Sequence, residues 1–466
     1  MNYASHIIIC ADARRRNGEL IMEYKEQIHN YVVEHKEEIL QTFKELVKIP
    51  SVRGAAEPEA PFGKACADVL EYTEKLYSEN CFETELDRQG GYLLSYYGKG
   101  EKTLGLFAHA DVVPVSDDWI YTKPFEPLVK DGFLIGRGML DDKSAIVISL
   151  YCAKILKELN IPFNSRLVMF TGANEETGMA DIEEYSKKHT APDFSLICDS
   201  AFPLYRGDKS MMNFWVTLNT ELKDIKNFHG GNTMNIVLGK ASAAVNGENV
   251  SETGISSHSA LPEGSLNAGY LLAKKLSERE DICVSDREQM LFLTSVLEKY
   301  YGEAYGIEHC DECGKLTCAN GIIKAENKKI MLGFNMRFGL SADTESIKKS
   351  IASFFEKHNC TVEFEEEKKG YITPEDNSYI NACLKAYSDF TGDKNPQTHI
   401  NAGATYARKL PCAAEIGTTL KWGVPENTPL GHGGAHQSDE CTNIEGFLEA
   451  LGLTLQMLIE CDKTEE

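Results

Sequence analysis

One stretch in the first third of the chain carries side chains suited to binding metal ions. His109 and Asp111 stand two residues apart after the apolar residues 104–107, which predict a buried strand, so both side chains point the same way. A carboxylate beside an imidazole can fix its tautomer and leave the other ring nitrogen for a metal. Asp141 and Asp142 are adjacent, and adjacent carboxylates repel each other unless a cation lies beside them. Because aspartate also caps helices, this stretch alone leaves both interpretations open.

Three later segments carry residues of the same types. Glu175 and Glu176 follow a predicted strand, residues 166–171, and open a helix, where the helix dipole favours anions. Neighbouring residues point in different directions, so one glutamate can bind a metal while the other faces a water. Asp199 ends the apolar strand FSLICDS, and His436 lies beyond a glycine-rich loop. Each of these residues is unremarkable by itself, and the prediction rests on the whole set.

The set predicts a dinuclear metal centre. Two imidazoles and three carboxylates suit zinc, manganese or cobalt better than a thiolate site would. Five ligands are too many for one tetrahedral ion, but they suit two ions that share a bridging carboxylate and activate a water. The predicted ligands are His109, Asp141, Glu176, Asp199 and His436. Glu175 then remains as the general base.

Strands alternate with helices around these residues. Residues 103–109, 166–171 and 195–199 read as strands, and residues 143–159 read as a helix. This alternation predicts an α/β fold with a largely parallel sheet and helices on both of its faces. In such sheets ligands bind at the carboxyl ends of the strands, which is where the candidate residues fall.

The pattern changes after Arg206 and returns near Pro374, so we expect an inserted α+β domain. The predicted organisation is a catalytic metal-binding domain formed by residues 22–206 and 373–466, with residues 207–372 inserted. Residues 1–21 match neither a signal peptide nor the regular segment that follows, and they are predicted to be a disordered extension.

Composition narrows the classes of partner. The chain has 466 residues, which favours two domains, and its net charge of −23 argues against nucleic acid and anionic membranes. No apolar run is long enough to span a membrane. The 14 cysteines are scattered and no secretory signal precedes them, so we expect reduced thiols and a cytoplasmic protein. Cys310, Cys313 and Cys318 form half of a zinc-ribbon spacing without a second pair, which disfavours structural zinc.

Several motifs together resemble a known family. The segments AHADVVP, GRGMLDDK, NEETG, ICDSAFP, SSHSALPEGSLNA and HQSDE resemble the co-catalytic metallopeptidases related to aminoacylase, acetylornithine deacetylase and succinyl-diaminopimelate desuccinylase. GIEHCDECGKLTCANGII, NMRFGLSADT and AGATYARKLP are most similar to bacterial dipeptidases of the Xaa-His dipeptidase, carnosinase-like type. The resemblance extends from about Met22 to the C-terminus. It implies a mainly parallel-sheet, zinc-peptidase-like catalytic domain with an inserted α+β lid domain.

The resemblance also implies how the metals are bound. His109 and Asp199 hold one ion, Glu176 and His436 hold the other, and Asp141 bridges them. The cofactors implied are two divalent metal ions per chain, with zinc favoured and manganese or cobalt as alternatives.

Further roles next to the metals follow from the same resemblance. Asp111 orients His109, and the peptide between Asp141 and Asp142 is cis. Glu175 takes a proton from the bridging water and passes it to the leaving amine.

Four residues match positions that bind substrate in the family. His258 polarises the scissile carbonyl, Arg337 binds the terminal carboxylate, and Asn235 and Arg408 lie near the substrate. A bidentate arginine–carboxylate contact anchors a free C-terminus, and a donor at the carbonyl oxygen stabilises the tetrahedral intermediate. These roles predict an exopeptidase for short peptides, namely a metal-dependent dipeptidase.

Other interpretations stay open at this point. An amidase of the same superfamily would cleave N-acyl amino acids, and a catalytically silent relative would only bind peptides or metal. His432, four residues before His436, is an alternative ligand, although the HQSDE context favours His436. The long inserted domain resembles that of monomeric members, so we expect a monomer in which His258 acts in cis on a small peptide substrate.

Overall fold

The computed structural model describes residues 24–326 and 328–465. These residues form two compact units. The first contains the described residues up to Arg206, Thr373–His399 and the residues from Thr405 onward; the second contains Gly207–Ile372 and Ile400–Ala404. The predicted extension, residues 1–21, lies outside the described residues.

The helices follow the predicted segments closely. Residues 24–34 are helical, and a turn at His35 separates them from α1, where the sequence predicts one continuous helix from Glu23 to Lys48. The helices with defined bounds are α1 (Lys36–Val47), α2 (Lys64–Glu79), α3 (Lys143–Glu158), α4 (Ala180–Lys188), α5 (Ala268–Ser277), α6 (Val284–Leu297), α7 (Thr344–Lys357), α8 (Ser378–Thr391) and α9 (Ile444–Asp462). Within the described ranges, none of the helices has the length and apolar character needed to cross a membrane.

The strands are distributed over both units. In chain order they are β1 (Glu83–Asp87), β2 (Tyr92–Tyr97), β3 (Thr103–His109), β4 (Leu128–Lys130), β5 (Phe133–Ile135), β6 (Arg166–Gly172), β7 (Phe194–Ser200), β8 (Tyr205–Asp208), β9 (Ser210–Leu218), β10 (Ile225–Gly230), β11 (Lys240–Val245), β12 (Glu248–Thr253), β13 (Cys310–Asp311), β14 (Gly314–Lys315), β15 (Thr317–Glu326), β16 (Lys329–Phe338), β17 (Cys360–Phe364), β18 (Tyr371–Ile372), β19 (His399–Asn401), β20 (Ala413–Gly417) and β21 (Cys441–Asn443).

The first unit is built on a mixed sheet with a parallel centre. Its strands run in the order β1-β2-β6-β3-β7-β20. The pairs β6–β3, β3–β7 and β7–β20 are parallel, whereas β1–β2 and β2–β6 are antiparallel. Phe107 of β3 lies opposite Phe170 of β6 and Ile197 of β7, so the carboxyl ends of these three strands meet at one edge. The predicted α/β class with a mainly parallel sheet is confirmed.

The side chains of β3 alternate between the two faces of this sheet and pack on both. Leu104 and Leu106 belong to the large core that α1, α2, α3 and α9 complete. Phe107 points to the other face, where it stacks on Phe170 and packs against Tyr185 of α4. Successive strand residues point to opposite faces, so one apolar strand supplies both cores. His109 shares the face of Phe107, which brings it toward α4 and away from the main core.

The second unit contains a separate antiparallel sheet in the order β12-β11-β10-β15-β16-β9-β17. Along β9 every second residue is buried, with Met212, Phe214, Val216 and Leu218 in the core. This period of two is what a sheet with one covered face requires. Helices α5, α6 and α7 contribute the remaining apolar side chains of this core.

Candidate metal centre

Parallel pairing brings the predicted metal ligands of the first unit together. His109 is the last residue of β3, Asp199 lies near the end of β7, and Glu176 follows β6. Asp141 lies in the loop before α3, and His436 lies in the loop between β20 and β21. The carboxyl ends of the central strands therefore form the floor of the site, as open α/β sheets generally do.

Asp141 lies between the two histidines. Its Oδ1 is 3.0 Å from His109 Nε2, and its Oδ2 is 3.0 Å from His436 Nε2. Asp199 Oδ2 lies 3.8 Å from His109 Nε2, and Glu176 Oε1 lies 3.1 Å from His436 Nε2. Each imidazole thus lies next to a different oxygen of Asp141 and also has a second carboxylate nearby. This is the arrangement expected for two ions with a bridging ligand.

Buried polar atoms without hydrogen-bond partners show that the site suits cations. Among the described residues, His109 Nε2 and Asp141 Oδ1 are both buried, and apart from their mutual contact at 3.0 Å neither has a hydrogen-bond partner. Ligand atoms of His109, Asp141 and Glu176 lie within 4.8 Å of one another, as do those of His109, Asp142 and Asp199. A nitrogen and oxygen donor set of this kind fits zinc, manganese or cobalt. Asp142, which the sequence analysis did not count as a ligand, joins this set.

The charges of the site favour cations as well. Burial raises the pKa of Asp141, but hydrogen bonds and attraction from His109 and His436 outweigh burial and lower that pKa below its ordinary value. Burial and the neighbouring Asp141 raise the pKa of Asp199. Hydrogen bonds to Asp141 and Glu176 raise the pKa of His436 to about 11. The crowded carboxylates therefore stabilise positive charge at this place, as they would stabilise bound metal ions.

Asp111 supports the site through both its main-chain carbonyl and its carboxylate. The nearest acceptor for His109 Nδ1 is the main-chain carbonyl of Asp111 at 2.9 Å, whereas the Asp111 carboxylate is 3.5 Å away. A carbonyl can only accept, so Nδ1 donates, which leaves Nε2 as the ring nitrogen that a metal can bind. The carboxylate instead accepts the main-chain N–H groups of Glu175 and Glu176 at 3.1 and 3.2 Å. Asp111 thus positions both the histidine and the glutamate pair.

Glu175 is buried beside this cluster. Among the described residues its Oε1 has no hydrogen-bond partner. Burial raises its pKa well above the ordinary value, and Glu176, Asp111 and Asp141 raise it further, while His109 opposes them. A carboxyl group in such surroundings can accept a proton and hold it, which is the requirement for a general base that later acts as an acid.

The loop before the glutamates is held by residues that the sequence analysis missed. Asp181 Oδ2 accepts the main-chain N–H groups of Ala173 and Asn174 at 2.7 and 2.8 Å and the hydroxyl of Tyr406 at 2.5 Å. A Cβ at Gly172 would lie 2.1 Å from the Tyr406 hydroxyl, so glycine is required where this pair crosses the strand end. Asp181 gave no signal in the sequence because acidic residues are common in the first turn of helices.

The two candidate histidines of the C-terminal loop lie in different surroundings. His432 Nδ1 is 2.7 Å from Asp439 Oδ2, whose other oxygen accepts main-chain N–H groups of Ile120 and Tyr121. His436, with φ of +65°, directs Nε2 at Asp141 and Glu176 instead. The geometry therefore favours His436 as the ligand. The Asp141–Asp142 peptide is cis, as the resemblance implied.

The residues matched to substrate binding lie mostly in the second unit. Arg337 Nη2 is 3.5 Å from His258 Nε2, and Arg337 Nε donates to Asn335 Oδ1 at 3.0 Å. The main-chain carbonyl of Asn235 accepts the N–H of Ser259, so His258, Arg337 and Asn235 lie close together. Burial and Arg337 lower the pKa of His258 to about 4, which keeps this imidazole neutral near pH 7.

The remaining predicted residue, Arg408, lies in the first unit. It belongs to the short 3-10 helix Tyr406–Lys409, two residues after the tyrosine that contacts Asp181.

Comparisons with known proteins agree with this arrangement. The model of Peptidase family M20/M25/M40 matches residues 105–460. The chain belongs to peptidase family M20/M25/M40. The resemblance to co-catalytic metallopeptidases inferred from the sequence is thereby confirmed, and the M20 fold accounts for both sheets.

Individual M20 relatives extend the comparison. A protein of Bacillus subtilis named "Putative dipeptidase YtjP" is 27% identical over 93% of this chain and 99% of its own. The "Putative dipeptidase SSP1012" of Staphylococcus saprophyticus is 28% identical over 81% of this chain and 89% of its own. Human carnosine dipeptidase 1 has a similar fold, with a TM-score of 0.62, 16% identity and coverage of 94% of this chain and 99% of that one. Aminoacylhistidine dipeptidase from Vibrio alginolyticus also has a similar fold, with a TM-score of 0.56, 13% identity and coverage of 90% of this chain and 96% of that one.

Metal removal is expected to destabilise the first unit. A ligand at 100 times its Kd stabilises the folded state by about 2.7 kcal/mol, so chelation should lower the unfolding temperature by about 5 °C. Thermal unfolding followed with and without a chelator measures the shift. The Asp141→Asn variant should show a much smaller shift, since it lacks the bridging carboxylate. Equal shifts in both proteins would contradict a metal at Asp141.

Proposed function

We propose that this M20 hydrolase is a dinuclear metal-dependent dipeptidase. The observation that carries the proposal is the position of Asp141, whose two oxygens each lie 3.0 Å from a different histidine. The buried Glu175 beside that bridge adds the base that hydrolysis needs. Relatives named as dipeptidases across most of the chain support the choice of substrate class.

The metal ligands divide between two positions. We assign His109 and Asp199 to one ion, Glu176 and His436 to the other, and Asp141 to both, with zinc favoured over manganese or cobalt. When bound, these ions polarise the peptide carbonyl and make a water nucleophilic at neutral pH. Without them the same side chains form only a crowded set of charges.

Glu175 performs the proton transfers in this proposal. It accepts a proton from the attacking water and donates it to the amine that leaves, so one carboxyl group serves both steps. Its burial matches this use, because a raised pKa lets the carboxyl hold the proton between the two steps. Asp111 holds its main chain through the N–H of Glu175.

Residues of the second unit are proposed to recognise the substrate. Arg337 binds the terminal carboxylate of the peptide, and this anchor limits the substrate to short peptides with a free C-terminus. The neutral His258 donates a ring N–H to the scissile carbonyl oxygen, which stabilises the charge that develops there. Asn235 and Arg408 complete the set of proposed substrate contacts. We propose a cytoplasmic, monomeric exopeptidase with the inserted domain acting as a lid.

Dipeptide hydrolysis by chelated protein re-supplied separately with zinc, manganese or cobalt tests this function. We expect no turnover after chelation and recovery with at least one of the three metals. N-acetyl amino acids should be assayed beside the dipeptides under the same conditions. Cleavage of the acylated compounds alone would assign the protein to the deacylase type, and binding of dipeptides without any turnover would contradict an enzyme.

A further inference from the structure

A buried ion pair connects the two loops that carry the bridging aspartate and the second histidine. Arg137 is 2% exposed and Glu440 is fully buried, and Arg137 Nη1 donates to Glu440 Oε2 at 2.5 Å. Arg137 lies two residues after β5, and Glu440 immediately precedes β21. Neither residue lies among the proposed ligands of the metal centre, so this pair has no role in the function argued above.

Glu440 fixes the main chain of the loop that ends in Asp141. Its Oε1 accepts three main-chain N–H groups, from Gly138 at 3.1 Å, Leu140 at 2.8 Å and Asp141 at 3.0 Å. A buried N–H group without an acceptor costs about 1–3 kcal/mol, so all three N–H groups need this oxygen. A charged carboxylate forms stronger hydrogen bonds to them than a neutral acceptor would. The Glu440 carboxylate thereby fixes the position of the Asp141 main chain.

Arg137 extends the same connection to the histidine. Its Nη2 donates to the main-chain carbonyl of His436 at 3.3 Å. The main chains of Asp141 and His436 are thus linked through Glu440 and Arg137, while their side chains meet at 3.0 Å. Hydrogen bonds behind metal ligands orient them, and their loss typically costs about 10- to 100-fold in metal affinity.

We propose that Arg137 and Glu440 are positioning residues that set the distance between the bridging carboxylate and His436, and so determine the affinity for the second metal ion. The inference rests on the two-metal centre of the proposed function. It concerns the position held by Glu176 and His436 more than the one held by His109 and Asp199. The pair acts through other residues and does not itself contact substrate.

Equilibrium dialysis against zinc and cobalt tests the pair directly. Wild-type protein should bind two ions per chain. Arg137→Lys and Glu440→Gln should keep the first ion and bind the second about 10- to 100-fold more weakly. Lysine retains the charge but cannot span both Glu440 and His436, whereas glutamine must turn a donor toward either Arg137 or the main-chain N–H groups.

Asp462 offers a matched control in the same unit. It is also a buried carboxylate that accepts main-chain N–H groups, from Asn164 at 3.0 Å and Ser165 at 2.7 Å, but it contacts none of the metal ligands. Asp462→Asn should bind both ions with wild-type affinity. Thermal unfolding of the metal-free proteins shows whether each variant is folded. If Glu440→Gln does not fold, the dialysis of Arg137→Lys alone decides the question.

The outcomes separate the two proposals. Weaker binding of the second ion in Arg137→Lys with an unchanged Asp462→Asn supports the positioning role. Wild-type affinity for both ions in Arg137→Lys, or an equal loss in Asp462→Asn, overturns it. Dialysis needs no substrate, so a wild-type protein that binds two ions but cleaves no dipeptide would reject the proposed function and leave this inference standing.

Discussion

Replacing Glu175 with glutamine is expected to lower kcat for dipeptide hydrolysis about 100- to 10,000-fold, which is the usual contribution of a general base. Glutamine matches the size of glutamate, and Asp111 can still accept the main-chain N–H of residue 175, so the fold should persist. The amide cannot accept the proton of the attacking water. Steady-state kinetics on a small dipeptide measure the loss, and metal content measured on the same sample shows whether the ions remain.

Glu176→Gln is the matched comparison, because the two glutamates are adjacent and both donate a main-chain N–H to Asp111. Of these two glutamates, Glu176 is the one that contacts His436, at 3.1 Å. We expect this variant to lose activity together with metal, whereas Glu175→Gln loses activity and keeps two ions. A Glu175→Gln protein that turns over dipeptides at the wild-type rate would remove Glu175 from the mechanism.

The parts of the fold that were predicted correctly are those with local signals. Strand β3 has the predicted bounds, and its apolar run ends at the polar His109. The sequence also predicts a helix over residues 344–357, which are the bounds of α7, and Asp343 caps it by accepting the N–H groups of Glu345 and Ser346. Local composition decides such elements, so the sequence alone suffices for them.

Other elements depend on contacts that the sequence does not display. The sequence pattern predicts no strand over residues 317–326, where β15 lies, because Asn320 and Gly321 interrupt its apolar residues, and the register with β16 shifts at this place. The apolar pattern predicts a helix over residues 286–301, whereas α6 begins at Val284 and ends at Leu297.

The candidate site shows the same division. The metal ligands could be proposed from the sequence because each stands at the end of a strand or in a motif. Their supports could not, since Tyr406 lies 225 residues from Asp181 and Arg137 lies 303 residues from Glu440. Even for Asp111, spacing suggested a carboxylate contact to His109, but the carbonyl is closer. Residues that bind the main chain of a loop leave no periodic pattern.

Replacing His258 with alanine is expected to lower kcat about 100- to 1,000-fold with a smaller change in KM, as removal of one donor to a developing oxyanion does. The physical reason is that burial and the neighbouring Arg337 keep the imidazole neutral, so that it can donate a ring N–H to the carbonyl oxygen. Steady-state kinetics on a dipeptide provide the measurement. His229→Ala is a matched control, since His229 is in the same unit but exposed, where it contacts Ser242.

Mixing two inactive variants then tests whether His258 acts on the metal centre of its own chain. Chains with Glu175→Gln retain His258, and chains with His258→Ala retain Glu175. If the histidine acts in cis, as we predict for a monomer, an equimolar mixture stays as inactive as either variant alone, and light scattering gives the mass of one chain. If it reaches across a dimer, mixed pairs contain one complete site and activity returns. Recovery of activity would therefore reject the monomer and assign His258 to the partner's site.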